Sequence, residues 1–178
     1  MNESSSVLYE VQQSVATITL NRPESLNAMT NGLMKDLVDA LARVETDKSV
    51  RVVVITGSGR GFCAGADLAG HASAKPSDPE PDGKVDDHFN GAMRAIYNSS
   101  VPTVARVNGA AAGGGFGLAL ACDITIASDD ALFGEPEVSI ASGVVALILP
   151  WLTGPKLAKE LLLTADIKIS SQRIYEMG

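Results

Sequence analysis

Two glutamates, about three quarters of the way along this chain, have the clearest potential for acid–base chemistry. Glu135 and Glu137 flank Pro136 directly after Phe133-Gly134, on a predicted turn beside an apolar segment. A carboxylate in such surroundings can take a proton from a substrate and return it, which is general acid–base catalysis. From chemistry alone, either glutamate could serve.

A glycine-rich turn is the second feature of this kind. Five glycines, at 109, 113, 114, 115 and 117, follow the β-branched run Thr103–Val107 and precede an apolar helical pattern. This order predicts a strand, a tight turn and a helix start, which together bring unpaired backbone N–H groups to one place. Glycine also lets a ligand approach without meeting a Cβ atom. A tightly packed buried turn would need the same residues, so the glycines alone leave both interpretations open.

Nucleotide phosphate is not the ligand that this turn predicts. Leu118 stands where the dinucleotide motif G-x-G-x-x-G has its third glycine. Gly115 follows Gly114 where a P-loop has lysine. The best remaining candidate for helix N-terminal amides is a carbonyl oxygen that becomes negative during reaction, held in an oxyanion hole.

A further segment of small residues supports this interpretation. The predicted buried strand Val52–Thr56 ends at Gly57, and the sequence Phe62-Cys63-Ala64-Gly65-Ala66-Asp67-Leu68 follows shortly after. Small side chains again leave the backbone accessible to a ligand. Two separate segments therefore offer bare backbone N–H groups.

These segments carry a family resemblance. Together with Asn21-Arg22-Pro23 and Leu26-Asn27-Ala28, they resemble the motifs of the crotonase (enoyl-CoA hydratase/isomerase) superfamily, in the family's order. The resemblance implies an α/β fold of ββα units, a crotonase-like spiral with two roughly perpendicular sheets wrapped by helices. It also implies a coenzyme A thioester as substrate, with no separate cofactor.

The resemblance assigns roles to individual residues. The backbone N–H groups of Ala66 and Gly114 would hold the thioester carbonyl oxygen, and Glu137 would act as acid and base. The backbone from Ala64 to Leu68 would face the adenine end of coenzyme A. Substrate contacts are implied at five positions: Ala28, Ala64, Asp67, Leu68 and Gly113.

One position departs from the pattern of the family's hydratases. They carry a second glutamate on the helix after the glycine triplet, where this chain has Gly117. Because glycine cannot hold or activate water through a side chain, hydration is in question, whereas one carboxylate suffices for double-bond isomerisation. An acyl-CoA hydrolase is the less favoured alternative, since Val145 replaces the aspartate of such members. A catalytically weak acyl-CoA-binding or oligomer-forming relative is another.

Composition limits the classes of protein. The 178 residues, 46% hydrophobic, predict a single domain over residues 1–178. No apolar run approaches the roughly 18 residues that span a membrane, and Met1–Tyr9 is polar, so we expect a cytoplasmic protein. The net charge of −7 argues against nucleic acid and membrane surfaces as partners.

Other polar residues favour structural roles. Asp67 and Asp123 lie at predicted strand or turn ends, where aspartate commonly caps backbone amides. Arg22 and Arg60 could meet the phosphates of coenzyme A, although each also fits an ordinary solvated charge. Cysteine and histidine spacing favours free buried thiols and no metal site; these residues are Cys63, Cys122, His71 and His88.

Alternating strands and helices must position the candidate site residues. The pattern predicts a hairpin of Val7–Glu10 with Val15–Leu20, a helix capped by Thr30 and ending near Thr46, and a helix over Asp86–Ser99. A buried helix ending at Pro150 follows, then helices beginning after Gly154 and after Ser170 or Ser171. The inner face of the Asp86–Ser99 helix is predicted to comprise Phe89, Met93, Ile96 and Tyr97.

The resemblance also bears on assembly. Relatives continue with a C-terminal helical segment that covers the active site and supports a trimer, and we expect it to be missing after Gly178. A homotrimer or a dimer of trimers is implied. The expected uncovered apolar surface comprises Val144–Leu152 with Leu157, Leu161 and Leu162.

Overall fold

The computed structural model describes residues 5–67, 85–141 and 148–178, with the backbone alone at 85–87 and 140. The described part contains nine strands: β1 (Val7–Gln12), β2 (Val15–Leu20), β3 (Val52–Gly57), β4 (Gly61–Cys63), β5 (Thr103–Val107), β6 (Ala110–Ala112), β7 (Ile124–Ala127), β8 (Leu132–Gly134) and β9 (Ile169–Ser170). It also contains six helices: α1 (Asn31–Thr46), α2 (Val85–Tyr97), α3 (Gly114–Ala121), α4 (Leu149–Thr153), α5 (Pro155–Thr164) and α6 (Ser171–Glu176).

The larger sheet forms the scaffold. Its five strands run in the order β1-β2-β3-β5-β7, with β1 antiparallel to β2 and the remaining pairs parallel. Alternate residues of β2, such as Ile18 and Leu20, are fully buried. Helix α1 contacts β1 and β2 and buries Leu33, Leu37 and Leu41 in the same core. This packing follows from the helical spacing of the apolar residues.

The smaller sheet positions the predicted site. Strands β4, β6 and β8 are parallel neighbours, and β9 pairs antiparallel with β8. Parallel strands end at the same edge of a sheet, which is where ligands bind in many α/β proteins. The residues after β4, β6 and β8 include Ala66, Gly113 and Glu135. One short sheet therefore collects all three segments that the sequence singled out.

Most of the predicted elements are confirmed. The hairpin forms, with β1 extended to Gln12. The Thr30 side chain accepts the Leu33 N–H at 3.2 Å and caps α1. Helix α2 spans Val85–Tyr97, but Tyr97 is 77% exposed, so its placement on the inner face was wrong. Ser170 caps α6 through the Arg173 N–H.

The prediction that a helix ends at Pro150 was wrong. Helix α4 begins at Leu149 and contains Pro150 in its first turn, where a missing N–H costs no hydrogen bond. Residues 142–147 lie outside the described residues. The prediction of an uncovered surface was also wrong at Leu149 and Leu161, because they are 0% and 1% exposed and belong to the core. Trp151 and Leu152 are exposed as expected.

Across residues 5–67, 85–141 and 148–178, no helix combines the length and the apolar character needed to cross a bilayer.

Candidate active site

The glycine turn leaves helix N-terminal amides unpaired, and that of Gly114 is one of them. Gly113 adopts φ +53° and ψ −128° between β6 and α3, a conformation that favours glycine. Its own N–H donates to the Gly134 carbonyl at 2.9 Å, and the Gly117 N–H returns to the Gly113 carbonyl at 2.9 Å. Gly114 is the first residue of α3, and its N–H donates to no carbonyl of the described residues. This amide is free to bind an oxygen atom.

A second free amide lies on the loop after β4. The neighbours of Ala66 are tied to Met29: the Met29 N–H donates to the Gly65 carbonyl at 2.8 Å, and the Asp67 N–H donates to the Met29 carbonyl at 3.1 Å. Among residues that the structure describes, the Ala66 N–H has no such acceptor. A Cβ atom on Gly65 would stand 3.5 Å from the Gly114 nitrogen. The two loops that carry the free amides are therefore in contact.

Asn27 holds the loop that leads to Ala66. Its buried side chain donates to the carbonyl oxygens of Gly61 and Phe62, at 2.9 and 3.1 Å, and its Oδ1 accepts the Arg22 N–H at 2.8 Å. The Cys63 thiol donates to the Asn27 carbonyl at 3.2 Å. Sequence reasoning missed this anchoring role, because nothing in a Leu-Asn-Ala motif shows which distant carbonyls the amide meets.

Both cysteines are free, as predicted. Burial raises the pKa of the Cys63 thiol to about 12 and that of Cys122 to about 12. A thiol that stays protonated at neutral pH is a poor nucleophile. The structure therefore offers no support for cysteine catalysis. The described residues also contain no cluster of histidine, cysteine and carboxylate groups that could hold a metal ion.

Arg22 is an internal partner of the site rather than an ordinary solvated charge. Its Nη1 lies 3.2 Å from Asp67 Oδ2 and donates to the Ala28 carbonyl at 2.6 Å. These contacts join the Asn-Ala segment to the loop of Ala66. Asp67 thus has a structural contact with the Arg22 side chain.

Asp123 is structural as well. Its Oδ2 accepts hydrogen bonds from the backbone N–H and the hydroxyl of Thr103, at 2.8 and 2.9 Å. These bonds hold the pKa of the Asp123 carboxyl below its ordinary value. The aspartate therefore ties the start of β5 to the start of β7.

Glu137 lies over the glycine turn. Its side chain is 8% exposed, and its Oε1 is 2.5 Å from the position that a Cβ atom on Gly113 would take. The carboxyl group is thus beside the peptide that carries the Gly114 N–H. Only a residue without a side chain at position 113 permits this approach.

Glu135 is fully buried beside it. Burial, as the main cause, and the like charge of Glu137 raise the pKa of Glu135 to about 10. Neither Glu135 oxygen has a hydrogen-bond partner among the described residues. Glu135 is therefore a neutral acid at physiological pH. The sequence showed two acids but not the burial of Glu135.

The remaining predicted residues are placed as follows. Ala64 donates its N–H to the Leu26 carbonyl at 3.0 Å, so this amide is occupied. Gly117 is buried in α3, one turn after Gly113. Leu68 and Val145 lie outside the described residues. A cleft of 310 Å³ occurs elsewhere, between α5, β9 and α6, and no predicted site residue lines it.

Comparison with known proteins identifies the family of this chain. A family model described as enoyl-CoA hydratase/isomerase matches residues 10–178. A crotonyl-CoA hydratase from Syntrophomonas wolfei is 35% identical over 178 residues, covering 97% of this chain and 66% of the relative. A 1,2-epoxyphenylacetyl-CoA isomerase from Escherichia coli K12 is 36% identical over 179 residues, covering 97% of this chain and 67% of the relative.

A solved structure extends the likeness to the fold. An enoyl-CoA hydratase/isomerase from Xanthobacter autotrophicus Py2 superposes with a TM-score of 0.90 at 39% identity, covering 98% of this chain and 65% of that one. The chain therefore belongs to the enoyl-CoA hydratase/isomerase family and has the crotonase fold. It spans about two thirds of the length of these relatives.

Proposed function

We propose that this protein is an acyl-CoA enzyme that forms a thioester enolate, with the Ala66 and Gly114 amides as oxyanion hole and Glu137 as acid and base. The main observation in support of this proposal is that the Glu137 carboxyl lies beside the Gly113–Gly114 peptide. A proton acceptor next to a free amide is what enolate formation requires, since the α-carbon and the carbonyl oxygen are both bonded to the carbonyl carbon of the thioester.

The proposed reaction is movement of a double bond along the acyl chain. Glu137 takes a proton from the α-carbon of a 3-enoyl thioester, and the electron pair of the C–H bond moves to form the dienolate. The Ala66 and Gly114 amides then carry the negative oxygen. Glu137 returns the proton to the γ-carbon, and the carbonyl is restored as a 2-enoyl thioester. No atom is gained or lost.

The amides would supply most of the stabilisation. Losing one oxyanion-hole donor typically costs about 3–4 kcal/mol of transition-state stabilisation. The Ala66 N–H group is held in place because its neighbours Gly65 and Asp67 form hydrogen bonds with Met29. The Gly114 N–H group is held in place because the neighbouring Gly113 N–H donates to the Gly134 carbonyl. Such donors need no reorganisation when the charge develops, which is the main source of their effect.

Substrate binding would use the surrounding backbone. We assign contacts with the coenzyme A thioester to Ala28, Ala64, Asp67, Leu68 and Gly113, with no separate cofactor. Of the groups involved, the Asp67 carboxylate already pairs with Arg22. Asp67 would therefore contribute through its backbone and by fixing the loop, rather than by binding the anionic ligand through its side chain.

Isomerisation is favoured over hydration because of Gly117. The buried glycine offers no second carboxylate for orienting water on α3. Gly117→Glu should raise water addition to crotonyl-CoA, with Gly117→Gln as a control of similar size and no charge. High hydratase activity of the unaltered protein would instead show that another group, such as Glu135, positions the water.

Turnover separates this proposal from an acyl-CoA-binding protein without activity. The purified protein is assayed with panels of saturated, 2-enoyl and 3-enoyl thioesters, and coenzyme A binding is measured by calorimetry. We expect conversion of 3-enoyl to 2-enoyl thioesters. Binding without conversion of any panel member would favour the binding protein, and release of free coenzyme A would favour a hydrolase.

We also propose that the protein assembles as a homotrimer or a dimer of trimers. Exposed apolar side chains on the α4–α5 surface, namely Trp151, Leu152 and Leu163, support association. Burial of apolar area favours association by roughly 25 cal/mol per Å². The partner would be a second copy of this chain.

A further inference from the structure

The side chain of Met29 lies against the first residue of α3. A Cβ atom on Gly114 would overlap the Met29 methyl carbon, and it would lie 3.4 Å from Met29 Sδ and 3.1 Å from a ring carbon of Phe89. The thioether therefore fills the space that a side chain at position 114 would take. Two neighbouring glycines thus each admit the side chain of another segment, Glu137 at Gly113 and Met29 at Gly114.

The Met29 backbone is tied to the other free amide. Its N–H donates to the Gly65 carbonyl at 2.8 Å and its carbonyl accepts the Asp67 N–H at 3.1 Å, so Met29 and Ala66 form a parallel bridge. One residue thus contacts both segments of the proposed oxyanion hole. Met29 and Gly114 are partly exposed and Ala66 is exposed, so a ligand can reach all three.

A thioester held by the two amides brings its acyl group to this side chain. The carbonyl carbon is bonded to the bound oxygen, and the α-carbon is one bond further, near the Glu137 carboxyl that takes its proton. Because the Met29 methyl group lies where a Gly114 Cβ atom would be, it borders the same small space. An unbranched acyl chain has two hydrogens on the α-carbon, whereas a branched chain adds a methyl group that must displace the thioether.

We propose that Met29 is a specificity-determining residue: its thioether forms a wall beside the α-carbon and selects acyl-CoA thioesters that are unbranched at that atom. This inference rests on the proposed function, because the wall acts on an acyl group that the Ala66 and Gly114 amides hold. Methionine is flexible, so the selection is a graded preference rather than complete exclusion.

Two isomeric ligands test the wall. Butyryl-CoA and isobutyryl-CoA contain the same atoms and differ in whether the α-carbon is branched. Calorimetry gives the dissociation constants of both for the unaltered protein and for Met29→Ala, Met29→Leu and Met177→Ala. Met177→Ala is the matched control, because it shortens a methionine that is 5% exposed and lines the separate cleft between α5, β9 and α6. The thermal midpoint of each variant is measured as well.

The expected results differ between the variants. The unaltered protein should bind butyryl-CoA about tenfold or more tightly than isobutyryl-CoA, the usual effect of one carbon in an apolar pocket. Met29→Ala should bind isobutyryl-CoA about tenfold more tightly than the unaltered protein does. Met29→Leu, of similar volume, and Met177→Ala should keep the preference for butyryl-CoA.

An unchanged preference in Met29→Ala, or its loss in Met177→Ala, would overturn the proposal. If Met29→Ala does not fold, Met29→Val takes its place. Valine is shorter by two atoms along the chain and suits the extended backbone of the bridge, so it should give an intermediate preference.

Proton exchange separates this inference from the proposed function. The α-protons of butyryl-CoA are followed by NMR in deuterated buffer with the unaltered protein. If Met29→Ala removes the binding preference but the unaltered protein exchanges no α-proton, the wall stands and the proposed enolate chemistry fails. If exchange occurs and Met29→Ala leaves the preference unchanged, the enolate chemistry stands and Met29 does not select the acyl group.

Discussion

At the scale of single residues, the site depends on the lack of a side chain at Gly113 as much as on the side chains of the two glutamates. Gly113 leaves room for the Glu137 carboxyl, which lies 2.5 Å from where a Cβ atom would be. Glu135 is kept neutral by burial and by the like charge of its neighbour Glu137.

The raised pKa of Glu135 makes stability depend on pH. Between its ordinary value of 4.5 and about 10, the folded state holds a proton that the unfolded state has lost. The free energy of unfolding therefore falls as pH rises through this window, by at most about 1.4 kcal/mol per pH unit. Glu135→Gln cannot titrate, so its urea midpoint should exceed that of the unaltered protein, increasingly from pH 5 to pH 9. If the urea midpoints of the two proteins changed with pH in the same way, Glu135 would not be a neutral acid in the folded state.

At the scale of elements, close backbone packing positions the two amides. A Cβ atom on Gly115 would collide with the Cys63 carbonyl oxygen, so α3 lies directly against β4. At Gly114 the nearest atoms are the Met29 methyl group and the Phe89 ring, and the flexible methionine can move aside. An added side chain is therefore tolerated better at Gly114 than at Gly115.

Gly115→Ala should destabilise the protein by about 1–3 kcal/mol or more, because backbone atoms must shift to relieve the overlap. Gly91→Ala in α2 is the matched control, since among the described residues its Cβ atom would meet Val38 Cγ2 of α1 at 3.9 Å and nothing nearer. That change should stabilise by about 0.4–1 kcal/mol. Urea unfolding measures both. A Gly115→Ala variant as stable as the Gly91→Ala variant would exclude the close packing of α3 on β4.

The elements also show what could be predicted from the sequence. Helix α1 has a cap and apolar spacing, and β3 and β5 are β-branched runs, so local signals suffice for them. Strands β6, β8 and β9 have two or three residues each, which is too short for a periodic pattern, and they depend on long-range pairing.

Some features of the site could likewise be predicted from the sequence, and others could not. The positions of Ala66, Gly114 and Glu137 follow from motif resemblance. The Arg22–Asp67 pair joins residues 45 positions apart, and the neutral state of Glu135 depends on burial. Neither of these features has a local signature in the sequence.

At the scale of the whole molecule, large apolar side chains remain exposed on α4 and α5. Trp151 is 87% and Leu163 70% exposed, far more than expected for large apolar residues of an isolated domain. We expect sedimentation velocity at micromolar concentration to give a trimer or a dimer of trimers. The double variant Trp151→Lys/Leu163→Lys should dissociate it, whereas Leu8→Lys on β1 should not. A stable monomer of the unaltered protein would refute the proposed assembly.

The central claim is that Glu137 moves a proton beside the two free amides, and deuterium exchange tests it most directly. The unaltered protein in deuterated buffer should incorporate deuterium at the α-carbon of butyryl-CoA. Glu137→Gln should lose about 100-fold or more, the usual contribution of a general base, while coenzyme A affinity is retained. Glu10→Gln, an exposed glutamate on β1, is the control and should exchange normally. Exchange by Glu137→Gln at the unaltered rate would contradict the account.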